Sequence, residues 1–503
     1  MLTLTQHRLF RSSFKNSSDG KRVHIETKDQ DENVRSLALL SISFVFICTK
    51  LKERKPPKKT NFKVLFWLAS HKRNMNDNRG LGVVRVKPLG AGGGGGERSS
   101  VTGVSTVSYG NNSINVGSKS YSYPKMVIGP EVEQEALFNE FMPSRIQGFF
   151  DGFNVNVIAY GQTGSGKTHT MFGTPGILRD AALGKFGHEV TPNYGLFPRG
   201  MIAIFKMLKS VRAENPGKSY VLTCSAVELS AMGDEDMFGK DYGAKRKFDN
   251  SMYGVAGGVA LNNAETPPKL YGMTQLILEQ EEDLLRAFGA LSTRNTAGTE
   301  MNDSSSRSQC FAFLCLYVHD EASDTVQQSR FQFCDLAGSE RMVNAHGSHN
   351  WKQGGMEAIN GLMTNYSLMM LGQCVVDLVS ERKKGKQMRA FRAYKVNLIP
   401  LLSESLSGNA LTALFVCISQ AEANVSQSKF SMDFGKNFSR LTIKRKRVKP
   451  VNRKEVLKQI KHDYEHGKHH LKRPPSDKYK AMRKARAFEC LQLLQVYSRL
   501  VVD

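Results

Sequence analysis

The stretch IAYGQTGSGKTHTMFG, residues 158–173, carries the residue types and spacing with the clearest chemical use. From Gly161 to Thr168 it reads G-x-x-x-x-G-K-T, in which closely spaced glycines let backbone N–H groups converge on an anion. Lys167 can then reach the β- and γ-phosphates of a nucleotide, and the Thr168 hydroxyl can ligate Mg²⁺. We call residues 161–168 the phosphate loop. The residues expected to bind the nucleotide here are Gly161, Gln162, Thr163, Gly164, Ser165, Gly166, Lys167, Thr168 and His169.

A second polar region could sense the γ-phosphate. MNDSSSRSQC, residues 301–310, places hydroxyls and an arginine just before a strand-like run, and FQFCDLAGSE puts Asp335 at the end of another. A carboxylate at a strand end beside the phosphate loop can hold Mg²⁺ through water. A glycine that follows it can offer its N–H to the γ-phosphate. Together these features predict a γ-phosphate sensor.

The elements around these motifs predict an α/β core. VNVIAY, residues 155–160, is an apolar, β-branched run typical of a buried strand, and it leads directly into the phosphate loop. MIAIFKML, residues 201–208, has helical apolar spacing, and SYVLTCSAVEL, residues 219–229, favours a strand. Alternating strands and helices indicate a layered fold around a central sheet.

The composition of the chain indicates its redox compartment and the class of its binding partner. The 503 residues carry a net charge of +24, which favours an acidic partner such as nucleic acid, an anionic membrane or an acidic protein surface. The eight cysteines are scattered without a C-x-x-C pair, which indicates buried thiols in a reducing compartment rather than disulfides or a zinc site. The apolar run Leu37–Ile47 is too short to cross a bilayer, so no membrane span is expected.

Taken in order, these motifs resemble those of the kinesin motor domain. VVRVKPL at residues 83–89 is similar to the family's first strand, NDSSSRSQ to its switch I, and DLAGSE to its switch II. NYSLMMLGQCV and LLSESLSGNALTALFVCIS resemble two later family motifs, so the likeness runs from about Gly82 to Lys444. It implies a P-loop NTPase fold of the α/β class, with a central, mostly parallel twisted sheet flanked by helices on both faces. It also implies ATP and Mg²⁺ as cofactors, ATP hydrolysis, and microtubules as the partner.

The resemblance also assigns roles to residues. It implies that Arg85 and Pro88 lie against the adenine, and that Arg307 and Glu340 form a salt bridge that closes the two switches. The remaining residues of the implied hydrolytic site contact the γ-phosphate, the attacking water or Mg²⁺, with Asp335 acting through water: Thr168, Ser305, Ser306, Asp335 and Gly338.

Several departures from the family pattern lie on the microtubule-facing side. Gln309 replaces the switch I histidine, Glu228 is kept but its usual continuation is lost, and residues 393–402 differ from the expected motif. An alternative is therefore a microtubule-binding ATPase, or tether, whose motility is weak or lost. A second alternative, a basic P-loop protein that binds nucleic acid, rests on RLTIKRKRVKP at residues 440–450, but no specific nucleic acid is expected.

The basic stretch from Ser380 to Lys395 falls where kinesins face tubulin, whose surface is acidic. A solvated charged loop is the alternative for this stretch. The expected contacts are Lys383, Lys384, Lys386, Arg389, Arg392 and Lys395. The expected location is the cytoplasm and the microtubule cytoskeleton, including the spindle, and a homodimer stays open. We divide the chain into an N-terminal extension at 1–78, a motor domain at 79–445 and a basic neck or tail segment at 446–503.

Overall fold

A central sheet of eleven strands organises the part of the chain that the computed structural model describes. All described residues lie in one compact unit from Met75 to Asp503. They are residues 81–89, 105–110, 112–229, 235–239, 246–247, 260–262, 269–294, 308–339, 355–383, 391–394, 396–471 and 480–500. The N-terminal extension and the Gly-rich run at 90–100 therefore lie outside them.

The strands of the central sheet stand in the order β5-β1-β15-β6-β14-β13-β7-β8-β9, with β12 paired to β7 and β16 to β14. From β5 to β14 all neighbours are parallel, and antiparallel strands extend the sheet beyond β14. The strands of this sheet are β1 Leu81–Val86, β5 Met126–Ile128, β6 Val155–Tyr160, β7 Lys218–Leu229, β8 Glu235–Asp236, β9 Arg246–Lys247, β12 Leu276–Ile277, β13 Gln309–Asp320, β14 Thr325–Asp335, β15 Leu411–Ile418 and β16 Val451–Asn452.

Two small sheets accompany it. The strands β2 Val107–Tyr109, β3 Ile114–Val116 and β4 Lys119–Tyr121 form one, and β10 Ala260–Asn262 with β11 Lys269–Tyr271 form the other. The described helices are α1 Gln134–Phe150, α2 Lys167–Met171, α3 Ile177–Ala182, α4 Leu196–Glu214, α5 Glu281–Ser292, α6 Gly355–Lys383, α7 Leu398–Leu401, α8 Ser403–Ser407, α9 Val425–Phe438, α10 Arg453–Leu471 and α11 Lys480–Ser498, besides short 3-10 turns at Phe391–Tyr394 and Glu422–Asn424.

Strand β6 shows why the sheet holds the phosphate loop in place. All six of its residues are buried, as expected for a parallel strand covered on both faces. β14 and β15 flank it in parallel register, so the carboxyl end of β6 is fixed on both sides where the loop begins. The strands predicted at residues 155–160 and 219–229 and the helix predicted around 201–208 are confirmed.

Helices cover both faces of the sheet. Alternate residues of β13 divide between the faces, because successive side chains of a strand point to opposite sides. Leu314 and Leu316 pack with α1, α4 and α5, whereas Phe311 and Phe313 pack with α6 and α9. The predicted α/β class, with a mostly parallel core sheet between helical layers, is confirmed.

One described helix segment, Leu362–Ser380 within α6, is long and apolar enough to cross a membrane by length and composition. The same test is passed by core helices of soluble proteins, and Leu368, Leu371, Val375 and Leu378 of this segment pack against the central sheet. The segment is therefore weak evidence for a membrane span.

The seven described cysteines form no disulfide with one another, and six of them are buried. This agrees with the interpretation of scattered core thiols. Among the residues that the structure describes, no group of three or more His, Cys, Asp or Glu side chains could hold a metal ion by itself.

Candidate nucleotide site

The phosphate loop connects β6 to α2 through conformations that only glycine adopts easily. Gly166, which precedes α2, has φ +94°. At Gly161 a side chain would collide with the carbonyl oxygen of Cys417 on β15, so the loop lies directly against the neighbouring strand. The Ser165 hydroxyl and the Lys167 ammonium donate to the Gln162 carbonyl oxygen, each at 2.8 Å. Lys167 is therefore held at the loop, where a charge directed at phosphates is required.

Asp335, at the carboxyl end of β14, joins the phosphate loop as predicted. The Thr168 hydroxyl donates to Asp335 Oδ2 at 2.7 Å, and the Arg294 guanidinium donates to the same oxygen at 2.8 Å. The second carboxylate oxygen, Oδ1, is buried with no hydrogen-bond partner among the described residues. A buried anionic oxygen without a donor is costly unless a cation or a water fills the remaining valence.

The sequence analysis did not identify Arg294. Its side chain is 3% exposed and that of Asp335 is 2% exposed, so the pair is a buried ion pair. The guanidinium also stacks over the Phe172 ring, at 4.7 Å from the ring centroid. Arg294 is a lone basic residue just after α5. The sequence gives no other indication that this arginine belongs to the site. Its function depends on tertiary contacts with Asp335 and Phe172, which lie far away in the chain.

The residues after Asp335 run back along the phosphate loop. The Leu336 N–H donates to the Ala159 carbonyl oxygen at 3.2 Å, and the Ser339 N–H donates to that of Gly161 at 3.1 Å. Gly338 lies between these two anchors and is buried. The Ser339 hydroxyl lies 3.2 Å from that of Ser431 on α9, which connects this turn to the second helical layer.

Arg85, which is predicted to lie against the adenine, bonds to two side chains on neighbouring helices. Its guanidinium donates to Gln134 Oε1 at 3.1 Å and to the Thr170 hydroxyl at 2.9 Å, and thereby ties β1 to α1 and α2. The sequence analysis did not identify Gln134, and the residue carries no motif that would have revealed it. Its amide nitrogen also lies 3.1 Å from His169 Nδ1.

His169 and Pro88 differ in their surroundings. Burial and the charge of Arg85 lower the pKa of His169, which favours a neutral ring at this edge of the site. Pro88 is exposed at the end of β1. Whether Arg85 and Pro88 contact an adenine stays a prediction.

Side chains at the start of β13 bond to the neighbouring strand β7 and to helix α6. The Ser308 hydroxyl donates to Glu228 Oε1 on β7 at 2.7 Å. Gln309, which stands in place of the expected histidine, donates from its amide nitrogen to the Ser367 hydroxyl on α6 at 2.8 Å. These bonds fix the strand that directly follows the predicted switch I.

Several predicted site residues lie outside the described residues or have no described side chain. Lys383 ends α6 and Arg392 lies in the 3-10 turn at Phe391–Tyr394, but their side chains are not described. Outside the described residues are Ser305, Ser306, Arg307, Glu340, Lys384, Lys386, Arg389 and Lys395. The roles assigned to all ten stay predictions.

The chemistry of this site fits Mg²⁺. A hydroxyl and a carboxylate, Thr168 and Asp335, lie in contact, and oxygen ligands are those that Mg²⁺ prefers. Mg²⁺ usually takes only one or two protein ligands and completes its shell with waters and substrate phosphates. The unpartnered Asp335 Oδ1 is suited to accept a hydrogen bond from such a water.

A separate polar cleft of about 840 Å³ lies away from the phosphate loop. Its lining includes Gly82, Tyr123, Lys436 and Arg440, and none of the phosphate-loop residues. This cleft is therefore distinct from the nucleotide site.

Comparison with known proteins gives one family. The model of the kinesin motor domain matches residues 85–441. Chromosome-associated kinesin KIF4 of Xenopus laevis is 30% identical over 316 residues, which cover 62% of this chain and 23% of that protein. Kinesin-like protein cut7 of Schizosaccharomyces pombe is 27% identical over 375 residues, which cover 70% of this chain and 31% of that protein. The chain thus spans between about a fifth and a third of the length of these relatives.

Solved structures give the same fold. A fast kinesin aligns with TM-score 0.57 and 21% identity, covering 75% of this chain and 95% of that one. A KIF14 dimer in complex with a microtubule, with AMP-PNP, aligns with TM-score 0.59 and 23% identity, covering 74% of this chain and 97% of that one. At such identities the likeness concerns the fold alone.

Proposed function

The chain belongs to the kinesin motor family, and from this membership we propose that it is a microtubule-based motor that hydrolyses ATP with Mg²⁺. The observation that carries the proposal is the hydrogen bond between Thr168 and Asp335, because it brings the phosphate loop and the end of β14 into one site. Phosphoryl transfer depends mainly on positioning and charge neutralisation, and this arrangement provides both.

Different residues of the site have different proposed roles toward the nucleotide. Lys167 and the N–H groups of the loop offset the charge of the phosphates, and Arg85 with Gln134 fixes the first strand beside α2. Arg294 pairs with the Asp335 carboxylate and holds it beside Thr168. Bound Mg²⁺, held by Thr168 and through water by Asp335, would supply electrostatic stabilisation to the phosphoryl group. Ser305, Ser306, Arg307, Gly338 and Glu340 complete the proposed site.

The nucleotide end is bonded to the helices of the second layer at two points. Ser339 meets Ser431 of α9, and Gln309 donates to Ser367 of α6. If either switch moves on loss of the γ-phosphate, these bonds would transmit the movement directly to α6 and α9, as in other nucleotide switches. We assign to these two bonds the transmission of the nucleotide state to the microtubule-binding side.

The proposed partner is the microtubule. The KIF14 structure that shares this fold is a complex with a microtubule, and the net charge of +24 suits an acidic protein surface. The basic residues between Lys383 and Lys395 are the proposed contacts. The names of the relatives, chromosome-associated KIF4 and cut7, support a cytoskeletal or spindle role. Homodimerisation stays a prediction.

A second candidate, an ATP-hydrolysing tether with weak or lost motility, is favoured by one observation. Gln309 replaces the expected histidine at the contact with α6, and its Oε1 is buried without a hydrogen-bond partner among the described residues. The Gln309 side chain thus makes only part of the hydrogen bonds that its amide group can form at this contact. The comparisons give no support to the nucleic-acid alternative.

The test is co-sedimentation of the full chain with microtubules in AMP-PNP and in ADP. A motor or a nucleotide-controlled tether pellets more strongly in AMP-PNP than in ADP. Equal pelleting in both nucleotides would contradict nucleotide control. Displacement by duplex DNA at low micromolar concentration would favour the nucleic-acid alternative instead. Movement of microtubules over surface-bound protein then separates the motor from the tether.

A further inference from the structure

The last two helices fold back onto the same sheet that carries the nucleotide site, at its opposite end. Side chains of α10 and α11 form a separate apolar cluster with β7, β13 and β14. The cluster has eight buried members: Val221, Tyr317, Val326, Ile460, Cys490, Val496, Tyr497 and Leu500. Gly467 of α10 lies so close to Ala487 of α11 that a side chain there would approach the alanine Cβ to 2.8 Å. The two helices therefore pack tightly on each other and together on the sheet.

Specific polar contacts fix α11 in one register. The Gln492 side chain accepts from the Gln275 N–H and donates to the Met273 carbonyl oxygen, both at 2.6 Å. The Gln275 side chain donates in turn to Glu489 Oε1 at 3.0 Å. An amide bonded at both ends to neighbouring backbone allows a single placement of its helix.

Asp324 lies in the turn between β13 and β14. It contacts the first residue of α10 directly and, through His319, the backbone just after α11. Its carboxylate accepts from Arg453 Nε, the first residue of α10, at 2.7 Å. The same oxygen lies 3.1 Å from His319 Nε2, and the other ring nitrogen of His319 lies 3.0 Å from the Leu500 carbonyl oxygen at the end of α11. The hydrogen bond from Arg453 lowers the pKa of Asp324 and so favours its charged form.

The segment immediately before α10 runs along the edge of the core. We call residues 441–452 the exit segment. Its N–H groups at Lys444, Lys446 and Val448 donate to the carbonyl oxygens of Gly408, Asn409 and Gly152. It ends in β16, which pairs with β14 over two residues only. Because α10 follows β16 without a gap, the position of α10 determines whether this short pairing persists.

We propose that α10 and α11 form an intramolecular clamp that holds the exit segment on the core and opens as a unit while the core stays folded. The clamp buries eight apolar side chains, whereas the two main clusters of the sheet each bury several times more. Parts of a protein with few buried apolar contacts open at lower free energy than the core. The chain thereby carries a two-position element directly after its motor domain.

Cys490 is a built-in reporter of this opening. It is 5% exposed and belongs to the clamp cluster, whereas Cys224 is fully buried in the core. The full chain is treated with N-ethylmaleimide, and the labelled cysteines are identified by peptide mass mapping. We expect Cys490 to react at least about tenfold faster than Cys224, and far more slowly than in urea-unfolded chain. Equal rates at Cys490 and Cys224 would overturn the separate opening, and an unfolded-like rate at Cys490 would overturn the closed clamp.

Two variants and a matched control complete the test. Tyr497→Ala removes a buried aromatic side chain and should raise the Cys490 rate by about 100-fold or more. Gln492→Ala, the milder change, should raise it by about tenfold. Gln495→Ala, an exposed glutamine on the same helix, should leave the rate unchanged. An unchanged rate in both clamp variants contradicts the proposal.

Hydrogen exchange of residues 444–452 tests the second half of the proposal. Their amide protection should fall in parallel with the rise of Cys490 labelling in Tyr497→Ala and Gln492→Ala. Unchanged protection would mean that the clamp does not hold the exit segment. Neither measurement requires nucleotide or microtubules, so their outcome is independent of the proposed motor function.

Discussion

The two ends of strand β14 are built in different ways. At its carboxyl end, Asp335 meets Thr168 of the phosphate loop and Arg294, within a buried polar site. At its other end, Asp324 and Val326 lie under the clamp and contact residues of α10 and α11. The nucleotide end rests on compact motifs with obligatory glycines, whereas the clamp end rests on apolar packing between distant segments.

The ion pairs at the two ends of β14 differ in how much they contribute to the stability of the fold. A buried ion pair loses several kcal/mol when one partner is removed, because the other charge stays buried. The Arg453–Asp324 ion pair at the clamp end is partly exposed, so it contributes less. We therefore expect a large loss of stability when the ion pair at the nucleotide end is broken and a small loss when the ion pair at the clamp end is broken.

The largest expected effect comes from Arg294→Ala. Removing the guanidinium leaves the Asp335 carboxylate buried without its cation and should lower the free energy of unfolding by about 3–5 kcal/mol. Urea unfolding followed by circular dichroism measures the change. Arg286→Ala is the matched control, an arginine of α5 whose side chain is 55% exposed, and should cost about 1 kcal/mol or less. Equal losses for the two variants would contradict the buried-pair account.

Lys167→Ala should abolish most ATP turnover and leave the fold intact. The ammonium acts on charge that develops on the phosphates, and loss of such a group costs about 10²- to 10³-fold in rate. Phosphate release by the folded variant gives the answer, with Lys206→Ala, an exposed lysine of α4, as the control. Undiminished turnover would remove the assignment of the phosphate loop.

The nucleotide end rests mainly on local motifs and the clamp end on contacts between distant segments. This difference decides how much of each end could be predicted from the sequence. The phosphate loop and strand β6 are local patterns, so residues 155–168 alone predict them. The contact of Arg294 with Asp335 joins residues 41 apart, and that of His319 with Leu500 joins residues 181 apart. No local pattern encodes such pairs. The packing of α11 on the central sheet likewise joins residues far apart in the chain, such as Tyr317 and Tyr497.

Neutralising Lys383, Lys384 and Lys386 together should weaken microtubule affinity by about tenfold at low salt, since an ion pair at a solvated interface contributes up to about 1 kcal/mol. The salt dependence of binding should flatten, because fewer ion pairs remain to be screened. Basal ATP turnover should not change. Binding equal to that of the parent at low salt would return these residues to the alternative of a solvated loop.

Ser367→Ala removes the acceptor for the Gln309 amide on α6. The loss of one hydrogen bond, about 1 kcal/mol, should lower microtubule-stimulated turnover by a few fold and leave basal turnover near the parent value. Gln373→Ala, which alters an exposed side chain of the same helix, is the control. If basal and stimulated turnover fall together, the bond supports the site itself rather than transmission to α6.

Arg453→Ala should have the smallest effect on catalysis. It removes the ion pair with Asp324 at the clamp end, about the full length of β14 away from Asp335. Basal ATP turnover should stay within about twofold of the parent, since Arg453 contacts the end of β14 that lies opposite to the phosphate loop. A tenfold loss would show that the two ends of β14 are coupled and would break the comparison.

Steady-state phosphate release with and without polymerised tubulin tests the central claim most directly. A kinesin-type motor with an intact nucleotide site should hydrolyse ATP slowly alone and severalfold or more faster with microtubules, in a manner that depends on Lys167. Turnover that microtubules do not change would contradict the motor function, and the chain would then be a nucleotide-hydrolysing tether. No turnover under either condition would contradict the ATPase itself.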